Sequence, residues 1–200
     1  MRTGGDDIAQ ALALMGVQPV WDNASRRVTG FEIIPIGVLQ RPRVDVSLRC
    51  SGFFRDAFPA QMSLIDRAVQ AVAACDEGDE MNPLAATARA EAAMLQKNGI
   101  AAKDAKRRST MRIFSAKPGA YGAGLQTLVD EDIWSNRGDF AEAFLKWSSY
   151  AYGEALLGVE ARDELENRLS GAEAILHNQD NREHDILDSD EALKNYKTDR

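Results

Sequence analysis

Apolar positions near the amino end of the chain repeat first with the period of a helix and then with the period of strands. Ile8, Leu12 and Met15 are spaced as on one face of a helix, and Gly16 offers its end. Three segments that are rich in β-branched residues, or that alternate apolar and polar positions, then favour strands. They are VQPVWD, RRVTGFEIIPI and VDVSLRC.

Helical periodicity dominates the rest of the chain. Pro59 and Pro83 each precede an apolar segment of helical period, a position that suits proline in a first turn. The second of these helices ends at Asn98-Gly99. Further helices are predicted at GLQTLVD, at 138–150 and at EARDELENRLSGAEAIL, the last with a short strand at its end.

Together these elements predict an α/β fold, or a mixed α+β fold as the alternative, with more helix than strand. A small sheet near the front packs with several helices, and TMRIFSA supplies a fourth strand. The pattern divides the chain into an α/β segment at 1–75, a mainly helical segment with one or two strands at 76–190, and an atypical tail at 191–200. The first two segments are expected to share one core.

Charge and composition exclude several kinds of partner. The 200 residues carry a net charge of −7, whereas a nucleic-acid or anionic-membrane surface requires a basic face. The one basic cluster, KDAKRRS, is interpreted as a solvated helix end. No apolar stretch approaches the ~20 residues of a membrane span, and the first residues do not resemble a signal peptide, so the sequence predicts a cytoplasmic protein. Cys50 and Cys75 are in no CxxC motif and are predicted to be reduced, buried thiols.

Three long segments show more than periodicity. They are RPRVDVSLRCSGFFRDAFP (41–59), RIFSAKPGAYGAGLQ (112–126) with the following KWSSYAYG (146–153), and HNQDNREHDILDSD (177–190). In this order and at these separations they resemble the C-terminal part of the large subunit of cobaltochelatase, a family related to the large subunit of magnesium chelatase. The resemblance covers residues 2 to about 190. Because members of that family are far longer, we expect a fragment, and the tail after Asp190 departs from the family's aromatic and glycine-rich continuation.

The resemblance implies an ATP-dependent enzyme of three components that inserts Co²⁺ into a corrin-type tetrapyrrole, hydrogenobyrinic acid a,c-diamide, in cobalamin biosynthesis. This subunit would hold the tetrapyrrole and Co²⁺ as the substrate ion. An AAA+ ATPase subunit, with ATP and Mg²⁺, and a second small subunit would drive the reaction together with the remainder of the large subunit. The sequence agrees in one respect, since it contains no GxxxxGK[ST] phosphate loop. The alternatives are a magnesium-chelatase-like fragment, a module that binds tetrapyrrole or a partner without catalysis, and an inactive truncated product.

The segment HNQDNREHDILDSD concentrates two histidines, four aspartates and one glutamate. On a helix, His177, Asp180 or Asn181, and His184 would share a face, with Glu183 at its edge. Imidazole with carboxylate suits a divalent ion such as cobalt. Asp180, Glu183 or His184 could also accept the two protons that the pyrrolic nitrogens release on metalation. The alternative is a capped, charged turn in which Asn178 hydrogen-bonds the backbone.

The segment GAYGAG (119–124) is interpreted as a glycine-rich loop at the start of a helix. The backbone N–H groups of Gly119, Tyr121, Gly122 and Gly124 could hold a carboxylate of the macrocycle. Lys117 would add positive charge there. The alternative is close backbone packing at a strand–helix turn.

Four arginines surround the third predicted strand, and guanidinium groups bind carboxylates bidentately. Arg55 and Asp56 follow the carboxyl end of this strand and are the better candidates for the substrate, because such ends face the binding crevice of α/β sheets. The alternative is ion pairing with Asp45 and Asp56 inside the protein. The four are Arg41, Arg43, Arg49 and Arg55.

Aromatic residues at 140–152 have a helical period that predicts a core stripe of Phe140, Phe144 and Trp147. Stacking of Trp147 or Tyr152 on the flat macrocycle is the functional alternative. All these interpretations share one expectation. The histidine segment, the glycine-rich loop and the arginine-flanked strand should converge on one cleft.

Overall fold

Helices and short strands alternate through residues 5–177, the part of the chain that the computed structural model describes. The helices of this part are α1 (Asp6–Met15), α2 (Ile36–Leu39), α3 (Gly52–Ala57), α4 (Pro59–Ala73), α5 (Pro83–Lys97), α6 (Ala102–Ser109), α7 (Gln126–Asp130), α8 (Arg137–Ser148) and α9 (Arg162–Ser170). Its strands are β1 (Val17–Asp22), β2 (Arg27–Ile33), β3 (Leu48–Arg49), β4 (Ile113–Ser115), β5 (Tyr150–Gly153) and β6 (Leu156–Glu160). The predicted fold class, mixed α/β with more helix than strand, is confirmed.

The sequence pattern predicted helices α1 and α5 and strands β1 and β2. Helix α1 ends at Gly16, which has a left-handed φ of 75° and donates its N–H to the carbonyl of Ala13. Strands β1 and β2 form an antiparallel hairpin in which Val17 faces Ile33. Helix α5 begins at Pro83 with Asn82 as its cap and ends before Asn98. These predictions are confirmed.

The second sheet has the order β3-β4-β5-β6 and joins distant parts of the chain. Strand β3 is parallel to β4, and β4, β5 and β6 are successively antiparallel. The three residues of β4 are all buried, so this strand lies in the interior of the protein. Because β3 comes from the predicted segment 1–75 and its partners from 76–190, the sheet connects the two segments.

Several predicted boundaries are wrong. The strand VDVSLRC shrinks to Leu48–Arg49, because Asp45 turns to form an ion pair with the buried Arg112 (2.6 Å) instead of continuing a ladder. The helix predicted at 138–150 ends at Ser148, where the chain enters β5. Residues 171–177 form no strand after α9. Helix α3, which precedes Pro59, and strands β5 and β6 were not predicted.

Helix α4 runs through the main core. Leu64 and Ala68 are buried on its predicted apolar face. The buried carboxylate of Asp66 accepts two hydrogen bonds from Arg107 of α6 (3.0 and 2.9 Å) and one from the backbone N–H of Glu154 (3.0 Å). The predicted solvated helix end KDAKRRS is therefore partly wrong: it is helix α6, and Arg107 takes part in packing. A second apolar cluster, around Phe114, fills the space between the sheet, α8 and α9.

Both cysteines are free thiols. Cys50 is buried, as predicted, and burial raises the pKa of its thiol to about 12. Cys75 is only partly buried. None of the helices between residues 5 and 177 is long and apolar enough to cross a membrane.

Candidate functional site

The segments that follow β3 and β4 meet at one edge of the second sheet. The two strands are parallel, so they leave the sheet in the same direction. Helix α3 follows β3, and residues 116–124, which we call the glycine loop, follow β4. The hydroxyl of Ser115 donates to the carbonyl of Cys50 (2.8 Å), which joins the two strand ends just before the loops diverge. The glycine loop and Arg55 thus lie together, as predicted.

Arg55 holds the glycine loop from inside. Its side chain is buried, and Nη1 donates to the carbonyls of Ala116 (2.9 Å), Lys117 (3.0 Å) and Ala120 (3.3 Å). Nε and Nη2 donate to the carboxylate of Asp56 (2.6 and 2.8 Å). These bonds agree with the alternative of internal pairing, in which Arg55 shapes the site. A direct bond from Arg55 to substrate remains a prediction.

Asp56 is fixed between Arg55 and Tyr121. The Tyr121 hydroxyl donates to Oδ2 of Asp56 (2.8 Å). Hydrogen bonds from Arg55 and Tyr121 lower the pKa of Asp56 to about 2, and the same bond to Asp56 raises the pKa of Tyr121. At neutral pH, Asp56 is therefore an ionised carboxylate, and Tyr121 keeps its proton. The Asp56 side chain is 47% exposed, so this charge faces the solvent side of the loop.

The glycine loop is packed closely against its surroundings. A Cβ on Gly124, whose φ is 74°, would lie 2.5 Å from Cγ of Trp147. A Cβ on Gly52 of α3 would lie 2.6 Å from the carbonyl oxygen of Ala120, and one on Gly158 of β6 would lie 2.6 Å from Cδ of Pro118. The close backbone packing of the alternative interpretation is therefore present in this loop. It holds the loop in one conformation.

Trp147 and Tyr152 form the wall behind the glycine loop. Nε1 of Trp147 donates to the carbonyl of Gly122 (3.2 Å), which also accepts from Arg49 (2.8 Å). Tyr152 is 6% exposed and donates its hydroxyl to the carbonyl of Ala116 (2.7 Å). The stacking role for Tyr152 does not fit a ring buried in this way, and that of Trp147 remains a prediction. Of the predicted core stripe, Phe140 is buried and Phe144 packs partly buried against the second cluster.

Two N–H groups of the glycine loop, those of Lys117 and Tyr121, point away from Arg55. In a trans peptide the N–H is directed opposite to the carbonyl of the preceding residue, and the described peptide bonds are all trans. Since Ala116 and Ala120 direct their carbonyls to Arg55, the N–H groups of Lys117 and Tyr121 are directed outward. Gly119, with a φ of 78°, turns the chain between them, and Gly122, with a φ of 81°, turns it directly after Tyr121. The exposed Lys117 adds a positive charge to this outer face.

The histidine segment lies almost entirely outside the described residues. His177 is described and exposed, whereas Asp180, Glu183 and His184 are not among the described residues. Leu176, next to His177, lines an apolar groove of about 550 Å³ with Leu14, Pro42 and Val44. Val44 precedes β3, whereas the glycine loop lies beyond the carboxyl end of β3. Within 5–177, no group of three His, Cys, Asp or Glu side chains is arranged to hold a metal ion.

Sequence reasoning missed Gly52, Phe53 and Gly158 as parts of this site. Ser51 caps α3 by accepting from the N–H of Phe54 (3.1 Å), and a capping serine before GFFRDA was a usable signal for this helix. The helix exposes Phe53, which directly follows Gly52. The contact of Gly158 with Pro118 is between distant residues and has no local signal.

The chain is similar to known chelatase subunits over most of its length. The sequence model of the family described as CobN/Magnesium Chelatase matches residues 1–196. The aerobic cobaltochelatase subunit CobN of Pseudomonas aeruginosa is 58% identical over 191 residues, which are 96% of this chain and 15% of that protein. A magnesium-chelatase subunit of Chlorobaculum parvum is 32% identical over 190 residues, which are 95% of this chain and 14% of that protein.

A solved structure shows the same fold. The catalytic subunit of cobaltochelatase from Mycobacterium tuberculosis matches with a TM-score of 0.86 and 46% sequence identity. The match covers 94% of this chain and 15% of that one. The chain therefore spans about 15% of the length of these cobaltochelatase relatives.

Proposed function

The chain belongs to the CobN/magnesium chelatase family, and we propose that it is the part of a cobaltochelatase large subunit that seats the tetrapyrrole for insertion of Co²⁺. The tetrapyrrole would be a corrin precursor, hydrogenobyrinic acid a,c-diamide, and Co²⁺ the substrate ion. Higher identity to the cobaltochelatase relative (58%) than to the magnesium-chelatase relative (32%) favours the cobalt branch. The reaction would belong to the whole large subunit with its partners.

The outward face of the glycine loop is the observation that supports this proposal. The N–H groups of Lys117 and Tyr121 and the Lys117 ammonium form a positive patch, and a peripheral carboxylate of the macrocycle fits it. Arg55 fixes the loop from behind, so the donors need little reorganisation on binding. Preorganised donors of this kind favour an anion in one orientation.

The protons of metalation need an acceptor other than Asp56. Two pyrrolic N–H protons must leave when the metal enters, and an efficient base has a pKa near the working pH. With a pKa of about 2, Asp56 is too weak a base, and it acts instead as a fixed negative charge that favours an incoming cation. We assign proton acceptance to Asp180, Glu183 and His184, and Co²⁺ contact to His177, Asp180 and His184, in the histidine segment.

The nucleotide-driven step would come from partner subunits. The sequence contains no GxxxxGK[ST] phosphate loop, so ATP and Mg²⁺ are assigned to an AAA+ ATPase subunit. A second small subunit and the remainder of the large subunit complete the proposed assembly. A second candidate function, tetrapyrrole binding without insertion, is favoured by one observation. The contacts that hold the glycine loop in its conformation are made within this chain.

Replacing Lys117 with glutamate is expected to weaken tetrapyrrole binding about tenfold, because it reverses a charge beside the proposed carboxylate site. The measurement is titration of hydrogenobyrinic acid a,c-diamide with the 200-residue chain, followed by absorbance, at low and high salt. The matched control is Lys103→Glu, the same charge change at an exposed position of α6. If the Lys117 variant binds the tetrapyrrole as tightly as the unchanged chain, the proposed carboxylate site is wrong.

Replacing His177 and His184 with alanine in the full-length subunit is expected to lower Co²⁺ affinity about tenfold or more, because each imidazole is a proposed ligand. Cobalt insertion with the partner subunits should fall in parallel. Asn178→Ala separates this role from the capped turn, in which Asn178 is structural and the imidazoles are dispensable. Full Co²⁺ affinity in the double histidine variant would contradict the ligand role.

A further inference from the structure

Two exposed aromatic residues belong to segments that meet at Gly52, namely Phe53 of α3 and Tyr121 of the glycine loop. Phe53, the second residue of α3, is 70% exposed, and Tyr121 is 57% exposed. Gly52 brings the two segments together, because its Cα faces the Tyr121 ring so closely that a Cβ would lie 2.9 Å from Cδ1. Large aromatic rings at such exposure are costly in water and are typical of binding surfaces.

The Tyr121 ring is held in place although it is exposed. Its hydroxyl donates to Asp56, its edge lies against Gly52, and the Arg55 guanidinium lies 5.6 Å from the ring centroid. A ring fixed at three points loses little conformational freedom when a ligand stacks on it. An exposed tyrosine with no such contacts would lose more.

We propose that Phe53 and Tyr121 form an aromatic seat on which the flat face of the tetrapyrrole lies. This inference rests on the proposed function and adds where the macrocycle stacks. The seat takes the place of the stacking role predicted for Tyr152, because Tyr152 is buried, whereas stacking by Trp147 stays a separate prediction.

Charge around the seat matches an amphipathic macrocycle with carboxylates at its rim. The exposed Lys117 and the outward N–H groups of Lys117 and Tyr121 offer positive charge, which stabilises a carboxylate. The ionised Asp56, on the Tyr121 hydroxyl, repels a carboxylate and favours pyrrolic N–H groups or a cation. The two charges therefore orient the ligand on the rings. A purely apolar protein segment would gain nothing from this arrangement.

The test replaces each ring by leucine, which keeps apolar surface but removes the flat π face. We expect Phe53→Leu and Tyr121→Leu each to raise the Kd for hydrogenobyrinic acid a,c-diamide about three- to tenfold, and the double variant about 10- to 100-fold. The absorbance shift of the bound tetrapyrrole is the measurement, with the 200-residue chain. Trp21→Leu is the matched control, since Trp21 is 58% exposed on the β1–β2 hairpin. Tyr121→Phe, which keeps the ring and loses the bond to Asp56, should bind more tightly than Tyr121→Leu.

The outcomes separate the seat from the proposed function. If the unchanged chain binds the tetrapyrrole and both leucine variants bind it with the same Kd, the seat is overturned and the proposed function stands. No binding by the unchanged chain overturns both. An equal loss in Trp21→Leu overturns the seat, because the effect would then be general. The leucine variants of the full-length subunit could also keep their tetrapyrrole affinity but lose stability. That result overturns the seat and assigns the rings to a contact with the remainder of the subunit.

Discussion

Replacing Arg43 with methionine is expected to lower the free energy of unfolding by about 3–5 kcal/mol, the largest effect of any single change proposed for this chain. Arg43 is fully buried, and its guanidinium donates to the carbonyls of Met15 (3.0 Å), Gly16 (3.1 Å) and Ile34 (2.9 Å). It also forms two bonds with the carboxylate of Glu77 (2.7 and 2.8 Å). Methionine fills similar space but makes none of these five bonds, and within the described residues only Gly16 and Glu77 keep another donor, from the N–H of Ile34 and from Asn82. Urea unfolding measures the change.

Arg89→Met is the matched control, because Arg89 pairs with Asp79 at the surface and exposed pairs contribute about 0–1 kcal/mol. The hydrogen bonds from Arg43 lower the pKa of Glu77 below its ordinary 4.5. Glu77 therefore stabilises the fold above about pH 4.5, and this contribution is lost as the pH falls through its lowered pKa. The Arg43 variant should lack this part of the acid dependence. Equal stability of the two methionine variants would show that the buried network is dispensable.

Replacing Arg55 with methionine is expected to open the glycine loop and to lower the free energy of unfolding by about 3 kcal/mol. Three carbonyls of the loop lose their common donor, and in the part of the chain that the structure describes only those of Ala116 and Lys117 keep another, from the Tyr152 hydroxyl and the Ala120 N–H. Hydrogen exchange of the backbone N–H groups in 116–124 should become about 100-fold faster, and tetrapyrrole affinity should fall with it. Exchange measured by mass spectrometry localises the effect.

Two further variants test whether the effect of Arg55→Met on the glycine loop comes from the lost bonds to its carbonyls. Asp56→Asn removes the carboxylate but leaves Arg55 bound to the loop carbonyls, so loop exchange should change far less. Arg67→Met removes an exposed arginine whose guanidinium lies 6.0 Å from the Phe31 ring, away from the loop. Unaltered exchange in 116–124 after loss of Arg55 would mean that the glycine contacts alone hold the loop.

Elements with strong local signals were predictable from sequence. Helix α1 has a regular apolar stripe and a glycine at its end, and α5 begins at a proline and ends at Asn98-Gly99. Strands β5 and β6 were not predicted, because Tyr150 continues the aromatic period of α8 and only pairing with β4 makes this segment extended. Tertiary pairing overrode the local pattern there.

The candidate site was predictable as a set of segments and not as a geometry. Resemblance and strand ends placed Arg55 and the glycine loop together, and the structure agrees. Pairing of Arg55 with Asp56 was one of the predicted alternatives, but its bonds to the loop were not predictable, because these carbonyls are more than 60 residues away in sequence. Phe53 was missed for a related reason. Helix α3 was not predicted, and the exposure of Phe53 follows only from how this helix packs.

The mixed sheet also sets an order of events during folding. Strands β5 and β6 are adjacent in the chain and can pair as soon as both exist, on the microsecond scale of a hairpin. Strand β3 must instead find β4 across the intervening helices α3 to α6, and closing so large a loop is entropically unfavourable until long-range contacts form. The pairing of β3 with β4, at the edge that presents the glycine loop, should therefore form last. Slow-folding variants should accumulate an intermediate in which the β5–β6 hairpin is native and β3 is not yet paired.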